Sequence, residues 1–139
     1  MSLKTYHGSC HCGAVQFEAD IDFSVGTTRC NCSFCSKARS WLAYARPEHF
    51  RLLWGEDAQI EYVWTPMSQP TPHLHYYFCR VCGIHTPGRG ELGPDGTPYY
   101  FIPVALLDGV DPDELAASIH YVDGRHGRFD RPPDDTRLL

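Results

Sequence analysis

Seven cysteines in three short blocks constrain the fold of this sequence more than any other feature. They are spaced Cys10-x-Cys12, Cys30-x-Cys32-x-x-Cys35 and Cys79-x-x-Cys82. Cysteines separated by one or two residues can direct their sulfurs at one metal ion, and such blocks typically bind zinc. A closed set of disulfides would leave one of the seven thiols over. The spacing therefore predicts metal binding rather than disulfide bonding.

The number of cysteines indicates two sites of different kinds. A structural zinc site has four protein ligands, whereas a catalytic site has three and keeps one position for water or substrate. We therefore predict two zinc ions per chain. A closed site uses Cys10, Cys12, Cys79 and Cys82, and an open site uses Cys30, Cys32 and Cys35.

The residues alone leave two alternatives for the triplet. A histidine could supply a fourth ligand and make the site structural, and His11, His75 and His85 are the candidates. Alternatively, one cysteine could be a free redox nucleophile outside both sites.

Length and charge limit the possible functions. The chain has 139 residues, enough for one domain, and contains no apolar run of the roughly 20 residues that a membrane span needs. Residues 1–7 lack the apolar core of a signal peptide, which predicts a cytoplasmic protein without a membrane partner. A net charge of −5 argues against nucleic acid as a partner, although residues 125–131 form one basic cluster.

Short stretches of alternating polar and apolar residues predict a mainly β domain tied together by metal. The predicted strands are 14–18, 50–53, 59–64, 73–78 and 99–104. One short helix is predicted over 111–117, because Asp111 can cap it and Pro112 suits its first turn. Residues 88–98 are rich in glycine and proline and are interpreted as a loop, and residues 131–137 have the composition of a disordered tail.

The three cysteine blocks resemble those of a known family. Residues 8–18 (GSCHCGAVQFE), 30–37 (CNCSFCSK) and 78–85 (FCRVCGIH) are similar to motifs of the glutathione-dependent formaldehyde-activating enzymes, a family that also contains centromere-protein-V-like proteins. The blocks occur in the family's order. The resemblance covers about residues 5–125, which we take as the domain, with 126–139 as a C-terminal tail.

This resemblance implies a fold, a reaction and a role for each site. The fold would be several coiled, mostly antiparallel sheets built around the two zinc sites. The first four cysteines named above would hold a structural ion, and Cys30, Cys32 and Cys35 would hold the ion at which glutathione is handled. The expected activity is a carbon–sulfur lyase acting on adducts of glutathione, or another thiol, with formaldehyde or another small aldehyde. His11 or His85 could shuttle the proton.

Three other functions compete with the lyase. A zinc-stabilised binding module without catalysis would be favoured by a fourth protein ligand on the triplet. A methionine sulfoxide reductase would need a reactive cysteine beyond the zinc ligands. A nucleic-acid zinc ribbon would use the basic cluster at 125–131, against the negative charge of the chain.

Overall fold

The computed structural model describes residues 3–66 and 73–139. Within these ranges it contains ten strands and two short helices. The strands are β1 (Lys4–Ser9), β2 (Gln16–Ile21), β3 (Thr27–Cys30), β4 (Leu42–Ala45), β5 (Phe50–Trp54), β6 (Gln59–Trp64), β7 (Leu74–Cys79), β8 (His85–Gly90), β9 (Tyr99–Pro103) and β10 (Ile119–Val122), and the helices are α1 (Ser33–Ala38) and α2 (Pro112–Ala117). No helix in the described ranges is long and apolar enough to cross a membrane.

The strands form two sheets. The small sheet has the order β1-β2-β5 and is antiparallel throughout. The large sheet has the order β10-β3-β4-β9-β8-β7-β6, and only its β10–β3 pair is parallel. The mainly β fold with antiparallel sheets is therefore confirmed, with one parallel pair at an edge.

The main core lies between the two sheets. Phe17 and Ala19 on β2 and Ile102 on β9 are fully buried there, together with Tyr6 and Ala43. Burying an aliphatic or aromatic side chain of this kind contributes about 1.5–3 kcal/mol. Because side chains alternate along a strand, the neighbours of Ala43 and Ile102 point to the opposite, outer face of the large sheet.

That outer face carries a second, aromatic cluster. Leu42, Tyr76 and Phe101 are buried in it, and Phe34 of α1 packs against them. Strand β8 makes room for these rings, because a Cβ added at Gly88 would lie 2.4 Å from the Phe101 ring. Helix α1 is thus held on the outer face by aromatic packing.

Strand β8 corrects the interpretation of residues 88–98 as a loop. Residues 88–90 belong to the strand and pair with β9 from Gly88 to Gly90. The proline that precedes them, Pro87, lies opposite a register shift between His75 and Tyr77. A bulge is a position where a sheet tolerates a residue without an N–H group.

The five strands predicted from alternation are all present, and so is the helix that begins after Asp111. The Asp111 side chain accepts a hydrogen bond of 2.9 Å from the backbone N–H of Asp113, as the capping pattern predicts. The expectation of a single helix was wrong, since α1 is a second one.

Candidate metal centres

One cluster joins the ends of two strands that are far apart in sequence. Cys10 and Cys12 follow β1 of the small sheet, whereas Cys79 ends β7 of the large sheet and Cys82 lies in the turn after it. All four sulfurs lie within 4.8 Å of one another. The Sγ–Sγ distance is 3.7 Å from Cys10 to Cys12 and 3.6 Å from Cys12 to Cys79.

These distances suit a tetrahedral metal. Bonds of about 2.3 Å from zinc to four sulfurs would place the sulfurs about 3.8 Å apart. Backbone N–H groups of Cys12 and Ile84 donate to the Cys82 sulfur and lower its pKa to about 6, which favours the thiolate that a metal requires. The donor set of four thiols fits a structural ion.

Two similar turns build this cluster. The N–H of Cys10 donates to the carbonyl of Val15 at 3.1 Å, and the N–H of Cys79 donates to the carbonyl of Ile84 at 3.0 Å. In the first turn the N–H of Val15 also donates to the Cys10 sulfur at 3.3 Å. Backbone hydrogen bonds within each turn therefore hold its cysteines in position independently of a bound ion.

The second cluster is local in sequence. Cys30 ends β3, Cys32 is the residue that caps α1, and Cys35 lies within that helix. Their sulfurs lie within 4.8 Å of one another. The N–H of Cys35 donates to the Cys32 sulfur at 3.3 Å, and the N–H of Cys32 donates to the Cys30 sulfur at 3.4 Å.

The thiols of this triplet differ in acidity. Hydrogen bonds from the Cys30 and Cys35 thiols, with backbone N–H groups of Cys35 and Phe34, lower the pKa of Cys32 to about 3. The pKa of Cys35 is raised, because its bonds to Cys30 and Cys32 and its burial favour the neutral thiol. The triplet thus carries a thiolate at neutral pH and presents three soft donors.

No histidine closes the triplet in the described part of the chain, where only the three cysteines form this group. His11 is exposed beside the four-cysteine cluster. His75 lies between two carboxylates, with Nδ1 2.8 Å from Glu61 and Nε2 2.6 Å from Glu91. The three candidate histidines therefore do not supply a fourth ligand.

His85 instead lies in the aromatic cluster of the outer face. Its ring is 5.6 Å from the Phe34 ring and 5.3 Å from the Phe78 ring, measured between centroids. Burial lowers the pKa of His85 to about 4, so the ring is neutral at pH 7. Its Nε2 is buried and has no hydrogen-bond partner among the described residues.

Two tyrosines share this face with the triplet. Tyr76 stacks on Phe34, with 3.8 Å between ring centroids, and the Tyr44 hydroxyl bonds to Thr28. Burial raises the pKa of both tyrosine hydroxyls. This applies to the Tyr44 hydroxyl even though the residue as a whole is 44% exposed. Both hydroxyls therefore keep their protons.

A polar clamp holds residues 123–125 against the triplet. The Asn31 side chain, between two cysteines, donates to Asp123 at 2.8 Å and accepts from the N–H of Arg125 at 2.9 Å. The Arg125 side chain donates through Nε to the Asn31 carbonyl at 3.0 Å and through Nη2 to the Ser36 hydroxyl at 3.3 Å. Between these anchors, a Cβ added at Gly124 would lie 2.3 Å from the Cys30 sulfur.

Sequence reasoning missed this clamp and the role of Tyr76. Arg125 was noticed only as part of a basic cluster. Its partners lie more than 85 positions away in sequence, so no local pattern could reveal them. Trp41 follows the triplet closely in sequence, but its indole donates to Thr27 and packs against the core between the sheets.

Two of the three competing functions, the reductase and the nucleic-acid zinc ribbon, find no support in the described residues. All seven cysteines fall in the two clusters, which leaves no separate thiol for a reductase mechanism. The basic cluster does not present a uniform cationic surface, because Arg128 pairs with Asp123 and Arg131 pairs with Asp130.

Comparisons with known proteins give a family match and a similar solved structure. The sequence model described as "Glutathione-dependent formaldehyde-activating enzyme" matches residues 5–123. A crystal structure of a Rhodobacter sphaeroides protein, a structural genomics target, is 31% identical in sequence with a TM-score of 0.64. That match covers 81% of this chain and 97% of the other.

Proposed function

Because the chain belongs to the family of the glutathione-dependent formaldehyde-activating enzyme, we propose that it holds zinc at both cysteine clusters and is a carbon–sulfur lyase. Its substrates are glutathione, or a related thiol, and formaldehyde or another small aldehyde. The observation that carries this proposal is the division of the seven sulfurs into a group of four and a group of three.

The two groups have different roles in the proposal. Cys10, Cys12, Cys79 and Cys82 saturate a tetrahedral ion and stabilise the fold. Cys30, Cys32 and Cys35 leave one position of a tetrahedral ion unfilled. An ion held by three thiolates would supply a fourth coordination position and lower the pKa of a thiol bound there.

The reaction adds a thiol to a carbonyl group. The glutathione sulfur forms a bond to the aldehyde carbon, the carbonyl electron pair moves to oxygen, and that oxygen takes a proton to give the S-hydroxymethyl adduct. The reverse reaction breaks the carbon–sulfur bond. Holding both reactants in one site supplies most of the acceleration.

The chain's own residues have three tasks in this reaction. The aromatic side chains of Phe34 and Tyr76 exclude water from the outer face beside the triplet. The Tyr44 hydroxyl keeps its proton, and we propose that it donates a hydrogen bond to the developing oxyanion. His85 fills space in the aromatic cluster and is uncharged at neutral pH.

The test measures exchange between free formaldehyde and its glutathione adduct by NMR, because the uncatalysed addition sets a background rate. The purified protein should raise the exchange rate above that background, and Cys32→Ser should not. If the protein bound glutathione without accelerating exchange, it would instead be a thiol-binding module. Absence of both binding and exchange would overturn the proposal.

A further inference from the structure

The Arg125 guanidinium is fixed at the triplet by neutral groups only. Its Nε and Nη2 donate to the Asn31 carbonyl and the Ser36 hydroxyl, which use two of its five N–H donors. No carboxylate of the described residues lies within 4 Å of it, whereas six other lysine and arginine side chains have such a partner. The residue is exposed, so the remaining donors face solvent.

The nearest acid is already committed to other groups. Asp123 is almost fully buried, and its carboxylate accepts from Asn31 at 2.8 Å and contacts His126 Nδ1 at 2.9 Å. Arg128 lies 3.7 Å from its second oxygen. The charge of Asp123 is therefore offset without Arg125, which leaves the Arg125 charge uncompensated.

Other cations nearby add to this charge. Lys37 lies in α1 directly after the triplet, and Arg39 caps the C-terminus of that helix. Neither has a carboxylate within 4 Å among the residues that the structure describes. In a chain of net charge −5, three cations without a carboxylate partner thus lie on the segments that form and clamp the triplet. Such a site attracts anions and disfavours cations.

We propose that Arg125 is a specificity-determining residue that binds a carboxylate of the incoming thiol while its sulfur reaches the triplet. Arginine suits this role, because its planar guanidinium can donate two parallel hydrogen bonds to one carboxylate. Its stem is already ordered by Asn31 and Ser36, so binding costs little side-chain entropy. This inference rests on the proposed function and adds that the thiol must be anionic.

The experiment compares two ligands of the same skeleton on the zinc-loaded full chain. Glutathione carries two carboxylates, and glutathione diethyl ester carries none. Wild-type protein should bind glutathione more tightly than the ester, and the difference should shrink as salt is raised. Arg125→Gln should weaken glutathione binding about tenfold and leave the ester within about twofold. Arg125→Lys keeps the charge but not the planar guanidinium. Its affinity for glutathione should lie between those of the wild type and Arg125→Gln.

Arg80→Gln is the matched control. Arg80 lies between Cys79 and Cys82 of the other cluster, is exposed, and has no carboxylate within 4 Å in the described chain. It should change neither affinity. Metal content and melting temperature of each variant show whether the clamp on the triplet is intact.

Three results would contradict the inference, and they differ in what they leave standing. If Arg125→Gln weakened the binding of both ligands equally, the role of Arg125 would be only to hold residues 123–125 against the triplet. Equal wild-type affinity for both ligands would remove charge selectivity but leave the open thiol site. If the wild-type protein bound neither ligand, the proposed function would fail and this inference with it.

Discussion

At Cys32 one sulfur serves both the metal cluster and helix α1, since it accepts the hydrogen bond from the N–H of Cys35 at the start of the helix. Serine is a good residue at that capping position, whereas alanine is not. The two substitutions therefore separate the cap from the metal ligand.

We expect Cys32→Ser to remain folded, to lose about one metal ion per chain, and to lose thiol binding. Cys32→Ala should show the same losses and be less stable by about a further 1 kcal/mol, because the cap is lost as well. Elemental analysis, denaturant unfolding and calorimetry with glutathione measure these effects. Thiol binding that survived in Cys32→Ser would contradict the assignment of the triplet as the working site.

His85 should make the stability of the protein depend on pH. Its pKa falls from about 6.5 in the unfolded chain to about 4 in the folded one, so between these values only the unfolded state binds the proton. Stability should therefore fall as the pH is lowered from 6.5 to 4, by at most about 1.4 kcal/mol per pH unit from this residue.

His85→Phe should flatten this part of the pH profile and keep the aromatic packing. Urea unfolding between pH 4 and 7 measures the profile of both proteins. The exchange rate at pH 7 should be unaffected, because the neutral ring is assigned no proton transfer. A folded His85→Phe protein without activity would show that His85 is the proton shuttle.

Single functional residues were predictable where the spacing of cysteines indicates a metal site. The division of the cysteines into four and three was predicted from their number and spacing, and the structure brings the sulfurs of each group together. Asn31 and Tyr76 were not predictable in the same way. An asparagine between two cysteines has no distinctive pattern, and its partner Asp123 is reached only through the parallel pairing of β10 with β3.

Among the elements, the three strands of the small sheet are connected to one another by one carboxylate. Asp20 on β2 accepts from Arg51 on β5 at 2.9 and 3.2 Å and from Thr5 on β1 at 2.7 Å. Arg51, followed by Thr5, lowers the pKa of Asp20 well below its usual range, and His49 adds to this. The folded state therefore favours the ionised form.

Asp20→Asn should lower the melting temperature at neutral pH by several degrees. The stabilisation by Asp20 is complete above its unfolded pKa of about 3.9 and is lost as the pH falls through the lower folded value. The difference between wild type and variant should therefore shrink in strong acid. Thermal unfolding from pH 7 to pH 2 measures it, and Glu18→Gln, beside a longer contact of 3.4 Å to Arg51, is the weaker control.

Each element that sequence patterns missed has a physical reason. Strand β8 contains proline and two glycines, which normally indicate a loop, but its glycines leave room for rings from β9. Helix α1 is capped by a thiol rather than by serine, threonine, aspartate or asparagine. In β8 a tertiary contact outweighs local preference, and in α1 an unusual local cap starts the helix, whereas the alternating strands and the Asp111 cap follow the usual preferences.

For the whole molecule, the four-cysteine cluster connects the small sheet to the large one. Cys12 and Cys79 are 67 positions apart, and the contact between them bridges the two sheets. Binding of structural zinc contributes folding free energy, on the order of 10 kcal/mol in small zinc peptides.

The purified protein should contain about two zinc ions per chain. Cys12→Ser should lose one ion and much of its thermal stability, in contrast to Cys32→Ser, because only Cys12 belongs to the cluster that links the two sheets. Mass spectrometry under native conditions and differential scanning calorimetry give the two quantities. A metal content near one in the wild type would exclude the two-site model.

The cysteines of one cluster are close together in sequence and those of the other are far apart. This difference should also govern how fast each cluster releases a bound ion. The triplet spans six residues at one edge of the outer face, so fraying of α1 and its loop is enough to expose it. The four-cysteine cluster joins turns that follow strands of two different sheets, so we expect it to open only in a wider unfolding event. A chelator should therefore remove metal in two kinetic phases, the fast one without loss of secondary structure. The protein can then exchange the ion at the triplet many times within the lifetime of one folded molecule.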